Sequence, residues 1–146
     1  MGTLVTIKHP RMHLEINDKT LLGDIQKTFS DYYTYLSLAF FRDQHKKYEA
    51  SDEAHRLSPG LTVGEVRNTH VSTLIEIRPS YHVADVEREF MLKLGLSVQV
   101  LKKENERWEQ TTGLDNLSLH DLNILGRNAA DEYIVTDESA DEEAIP

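Results

Sequence analysis

One order of apolar patterns occurs twice along this chain, and it limits the available folds more than any other feature. Met12, Leu14 and Ile16 alternate with His13 and Glu15, the two-residue period of a half-buried strand. Leu4, Val5 and Ile7 form a short apolar run before His9-Pro10-Arg11, so residues 4–16 read as a hairpin. After the turn residues Asn17, Asp18 and Lys19, the side chains of Leu22, Ile25, Phe29 and Tyr32 or Tyr33 share one helical face. Leu36, Leu38 and Phe40 then alternate again. The order returns from residue 72. Ser72-Thr-Leu-Ile-Glu-Ile77 is rich in β-branched residues and stops at Pro79, which predicts a strand. Val83, Val86, Phe90 and Leu94 give a second helical stripe, and Gly95 stands where a left-handed helix terminus is favoured. Leu96, Val98 and Val100 follow as a strand, with residues 107–111 as its hairpin partner. Aligning Asp24 with Asp85 pairs Ile25 with Val86 and Phe29 with Phe90. One gap later, Leu36, Leu38 and Phe40 meet Leu96, Val98 and Val100. The expectation is an α+β protein, a two-layer mixed sheet with two packed helices from a repeated strand–helix–strand unit, Phe29 and Phe90 being equivalent buried anchors.

A smaller motif marks helix starts: Leu22-Gly-Asp-Ile25, Val63-Gly-Glu-Val66, Val83-Ala-Asp-Val86 and Leu119-His-Asp-Leu122. Thr62 with Glu65, and Ser118 with Asp121, have capping spacing, and an acid in the first turn suits the helix dipole. These scattered carboxylates are therefore read as structural.

Hairpin, helix, strand, a long link, Thr62-Val-Gly-Glu-Val-Arg67 and the strand at 72–77 fill residues 3–78. Strand, helix, hairpin, Ser118-Leu-His-Asp-Leu-Asn-Ile124 and Glu132-Tyr-Ile-Val135 fill residues 74–135. This order resembles the ubiquitin-like β-grasp fold, with a ferredoxin-like sheet as the alternative, since strand–helix–strand twice over is also the split βαβ pattern. The resemblance implies a first β-grasp-like unit at 1–78 and a second at 73–135 sharing the strand at 73–78. The chain ends Ala144-Ile145-Pro146 without a diglycine, so the resemblance implies no conjugation chemistry.

Charge and composition narrow the function. The formal charge is −9, from 25 acids and 16 bases, which argues against bulk nucleic-acid binding. Residues 136–146 hold five acids and no base; removing those five leaves 20 acids against 16 bases, a charge of −4. That stretch has no apolar periodicity and is expected to be a disordered acidic tail, so truncation at residue 135 should leave the melting temperature of the body unchanged. With no cysteine, disulfides, thiolate metal sites and thiol catalysis are excluded. No secretory signal is visible and no apolar run is long enough to span a bilayer, so the expected location is cytoplasmic with no membrane partner.

Seven histidines are present, yet no pair has metalloprotease spacing, and neither a nucleophile elbow nor a glycine-rich phosphate loop occurs. No catalytic residue, metal or cofactor is assigned. The one reactive alternative is an unrecognised enzyme or metal-binding protein using the hairpin histidines His9 and His13. The local anomaly is aromatic: Phe29, Tyr32, Tyr33, Tyr35, Phe40 and Phe41 are six of the eleven Phe, Trp and Tyr residues, within thirteen positions. Helical and strand periods take Phe29, one tyrosine and Phe40 inward, leaving Tyr35 and Phe41 on the opposite strand face. Apolar groups on both faces mean a covered sheet or a patch for a partner. The reading is a non-catalytic protein-interaction or self-association module, binding a protein partner or a second copy through Tyr35, Phe41 and Tyr32.

Overall fold

A computed structural model describes residues 11–42 and 53–128, apart from positions 69, 105, 112 and 115. The first arm of the expected hairpin, His9, the strand at 132–135 and the acidic tail lie outside the described residues. The chain runs β1 (Met12–Ile16), α1 (Leu22–Tyr32), β2 (Leu36–Phe41), a 3-10 turn (Glu53–His55), α2 (Val63–Val66), β3 (Thr73–Ile77), α3 (Val83–Leu94), β4 (Ser97–Glu104), β5 (Arg107–Gln110) and α4 (119–128). The class is mixed α+β, with two antiparallel sheets, β1–β3 and β2–β4–β5.

The sheets follow a common registration. In β1–β3, Leu14 faces Ile75, and Met12 faces Ile77. In β2–β4, Ala39 faces Gln99, with Leu38 opposite Val100 and Phe40 opposite Val98. Separation along an antiparallel ladder changes by two at each pair, and near the middle of each ladder it matches the alignment offset, 61 for Leu14 and Ile75 and 60 for Ala39 and Gln99. The loops bond alike in the two halves, although the segments that answer the turns recur 56 residues apart (Val63 and Leu119), not 61. Thr20 O accepts from Val63 N at 2.8 Å, and Tyr81 O from Leu119 N at 2.8 Å; Asp18 O accepts from Gly64 N at 3.0 Å, and Pro79 O from His120 N at 3.1 Å. Leu22 N donates to Leu61 O, as Val83 N does to Leu117 O.

One core joins these elements. Met12, Ile16, Ile75 and Ile77 meet Leu22, Ile25 and Phe29 of α1, Val86 and Phe90 of α3, and Leu119 and Leu122 of α4. Both Phe29 and Phe90 are fully buried; Phe90 sits edge-on to Phe40 with centroids 5.8 Å apart. The outer edge of β2 is closed by the chain itself: Gln26 Nε2 and Ser30 Oγ of α1 donate to Leu38 O and Leu36 O, and Leu57 N donates to Phe40 O. An edge so occupied offers no ladder to another strand.

Glycine is required where backbones touch. A Cβ at Gly64 would stand 2.8 Å from Asp18 Cβ, and one at Gly126 would stand 2.6 Å from Tyr35 Cβ. Gly95 closes α3 at φ 69°, the left-handed conformation that glycine adopts without cost.

Tyr33 carries a defect. Its ring lies 5.1 Å from that of Phe29, while its buried hydroxyl has no hydrogen-bond partner among the described residues, and burial together with the neighbouring Tyr32 pushes its ionisation well above the ordinary phenol range. An unsatisfied buried hydroxyl costs about 1–3 kcal/mol. Tyr33→Phe is therefore expected to raise the unfolding free energy by about 1 kcal/mol in urea melts; a loss of stability would show that the hydroxyl has a partner.

Candidate functional site

The alternation of β2 places Tyr35, Ser37, Ala39 and Phe41 on the sheet face turned away from α1. Opposite them on β4 are Lys103, Leu101, Gln99 and Ser97, and Trp108 and Gln110 of β5 complete the row. The two ends of this face differ. At one end Ala39, Phe41 and Leu101 form a second, small buried cluster. Arg56 bridges Phe41 at the β2 edge, while Glu53 Oε2 accepts from Gln110 Nε2 of β5 at 2.8 Å. The segment 53–56 thus reaches from β2 to β5 across the outer face. Phe41 is only 2% exposed.

This corrects the expectation that Phe41 presents an aromatic surface. Strand alternation assigns it to the outer face correctly, but the returning link makes that face a second core. Tyr35 is half-buried in the turn before β2; its amide donates to Asn123 Oδ1 of α4 at 2.9 Å, and its carbonyl accepts from Lys103 N at 2.9 Å. Tyr32, at the last position of α1, is 39% exposed.

The other end of the face is open. Trp108 is 44% exposed on β5, which pairs only with β4 among the described strands. The ammonium of Lys103, its cross-strand neighbour, lies 5.9 Å from the indole centroid, within reach of a cation–π attraction. Since Lys103 N also bonds Tyr35 O, backbone pairing places Tyr35, Lys103 and Trp108 side by side across three segments. Sequence reasoning missed Trp108, although the chain's lone tryptophan, set between Arg107 and Glu109 in an alternating hairpin arm, was a usable signal.

A second polar constellation has a structural explanation. The Arg67 side chain is 2% exposed and gives Nε and Nη2 bonds to Asp18 Oδ1 at 3.3 and 3.2 Å. It also bonds Val71 O and Thr73 Oγ1, and His70 Nδ1 lies 2.9 Å from Asp18 Oδ2. Asp18 thereby ties the β1–α1 turn to the approach of β3. Desolvation raises its pKa, but the hydrogen bonds and charges of His70 and Arg67 outweigh it, and the carboxyl is held below the usual 3.8. A depressed carboxyl contributes stability above its unfolded pKa and loses it as pH falls through the folded value. Asp18→Asn is therefore expected to melt below the parent at neutral pH. The difference should begin to narrow as pH falls through the unfolded carboxyl value near 3.8 and should close only below the lower folded value, where the Asp18 carboxyl is protonated and as neutral as the amide. A difference that persists unchanged in strong acid would show that the carboxylate charge is irrelevant.

The hairpin histidines do not form a describable site. His13 faces Glu76 across β1–β3, with Nδ1 3.7 Å from its carboxylate, and His9 lies outside the described residues. Among the described residues no group of three or more histidine and carboxylate side chains is placed to hold a metal ion. No helix among them is long and apolar enough to cross a membrane. No protein-family model matches the chain, and neither a curated protein nor a solved structure matches it.

Proposed function

We propose that the chain is a non-catalytic protein-interaction or self-association module whose contact surface is the open end of the outer sheet face, centred on Trp108 with Lys103 and Tyr35 beside it, and that Tyr32, exposed at the end of α1, is a further contact residue. The observation that carries this reading is the exposed indole on β5, an edge strand among the described strands. Tryptophan and tyrosine at the centre of an interface supply much of its binding energy, and a strand with one unpaired side can accept a partner's backbone. Tyr32 and Tyr35 stay among the proposed contact residues; Phe41 leaves them. The fold reading behind the proposal is an internal duplication of β-grasp type, with units at 1–78 and 73–135 sharing β3, followed by the tail at 136–146. The paired loop hydrogen bonds and the 60- and 61-residue offsets support the duplication, and the β4–β5 hairpin after α3 supports the β-grasp form. A cytoplasmic setting remains part of the proposal, resting on the cysteine-free composition.

Trp108→Ser tests the surface. Sedimentation velocity over a range of concentrations, with and without an identified partner, is expected to show association weakened tenfold or more. The melting temperature should stay within a few degrees of the parent because the indole is half in water. Unchanged association with a sharp fall in melting temperature would assign Trp108 to the fold instead.

A further inference from the structure

The loops related by the 61-residue offset differ in chemistry although their backbones bond alike. At Asp18 the turn carries a carboxylate and the chain answers with the buried Arg67. At the corresponding Pro79 the turn carries none, and Asn123, which follows Leu119 at the same distance as Arg67 follows Val63, accepts from Tyr35 N with its amide oxygen. Among the described residues no buried arginine–carboxylate pair like Arg67–Asp18 stands at Pro79. In its stead lies a cleft of about 490 Å3 lined by Arg11, Arg78, Pro79, Ser80, Ser118 and His120.

We propose that this cleft binds a phosphate monoester group. In a chain of formal charge −9, its described lining holds two arginines, two hydroxyls and a histidine, and no acid. Both guanidinium groups are about half exposed, and each is held only loosely by the Glu76 carboxylate, at 3.6 Å for Arg11 and 3.9 Å for Arg78. Those separations exceed the 2.7–2.9 Å of a charge-assisted hydrogen bond, so both arginines retain donors for an incoming anion. Among the described residues one carboxylate serves two guanidinium groups, which leaves the described site net positive. Arginine is the side chain suited to bidentate capture of a phosphate, and serine hydroxyls add donors that a carboxylate ligand would use less fully. The clefts beside Glu15 and beside Asp18 carry an acid in their linings and lack this selectivity. The site is independent of the Trp108 surface.

The full chain is titrated with inorganic phosphate and, separately, with a phosphoserine peptide, followed by amide NMR shifts at constant ionic strength. The expected result is saturable binding of at least one probe, with shifts concentrated at residues 78–80 and 118–120. Comparable binding of both assigns the group to a small phosphorylated ligand, and markedly tighter peptide binding assigns it to a phosphorylated chain. Arg78→Ala should weaken binding tenfold or more, as should Arg11→Ala, with the rest of the amide spectrum unchanged. Lys27→Ala, an exposed cation on α1 paired with Asp31, should bind as the parent does. The proposal is overturned if neither probe binds, or if Arg78→Ala and Lys27→Ala bind as tightly as the parent.

Discussion

Truncating Phe29 or Phe90 to alanine is expected to cost about 3–5 kcal/mol in either case, the usual loss for a buried aromatic side chain. Each ring is fully buried in the core. Phe29 holds α1 above β2 and packs on Tyr33, while Phe90 holds α3 against Phe40 of β2. A domain of this size has only about 5–15 kcal/mol to lose, so either variant should lose most of its cooperative melting, read by near-ultraviolet circular dichroism. Equal losses would fit equivalent anchors. A variant that melts like the parent would mean that its helix does not depend on the shared core.

The second large effect separates the two ends of the outer sheet face. Phe41→Ala is expected to destabilise the chain by about 3 kcal/mol or more, because Phe41, Ala39 and Leu101 form a buried cluster under the segment bridging to β5. Association should be unaffected at temperatures where the variant is folded. Trp108→Ser should do the reverse. Denaturant melts of both variants, set beside their sedimentation, distinguish a second core from a contact surface. A Phe41 variant of parental stability would contradict the buried cluster.

Much of this architecture was legible because its signals are local. Helix α3 was readable to its ends: Val83, Val86, Phe90 and Leu94 recur at helical spacing, Asp85 accepts the His82 amide, and Gly95 takes the left-handed conformation. Strand β2 was readable from alternation, including the assignment of Phe41 to the outer face. What covers that face was not, since Glu53 and Gln110 are 57 positions apart and no periodicity records such a meeting. Strand β4 runs beyond its apolar stretch to Glu104 because Lys102, Lys103 and Glu104 pair with β5; hydropathy sees only polar residues there. Arg67 escaped notice for the same reason as Phe41. Its partner Asp18 is 49 positions away, and an arginine after a short helix reads as solvated until the turn is known to deliver a carboxylate beside it.

The site shows the same division. Tyr32 and Tyr35 were singled out by their crowding in the sequence, whereas Trp108 comes beside Tyr35 only through the register that sets Lys103 between Tyr35 and β5. The arginine cleft also assembles from afar, from residues before β1, after β3 and at the start of α4.

The chain's single tryptophan allows the proposed surface to be observed without a label. Steady-state emission and acrylamide quenching of Trp108 are measured on the dilute chain and then through association, with sedimentation reporting the species present. The account predicts long-wavelength, readily quenched emission from the dilute chain, moving to shorter wavelength and losing quencher access in step with complex formation. A buried-type emission from the dilute chain, or a complex that forms while emission and quenching stay constant, would contradict it.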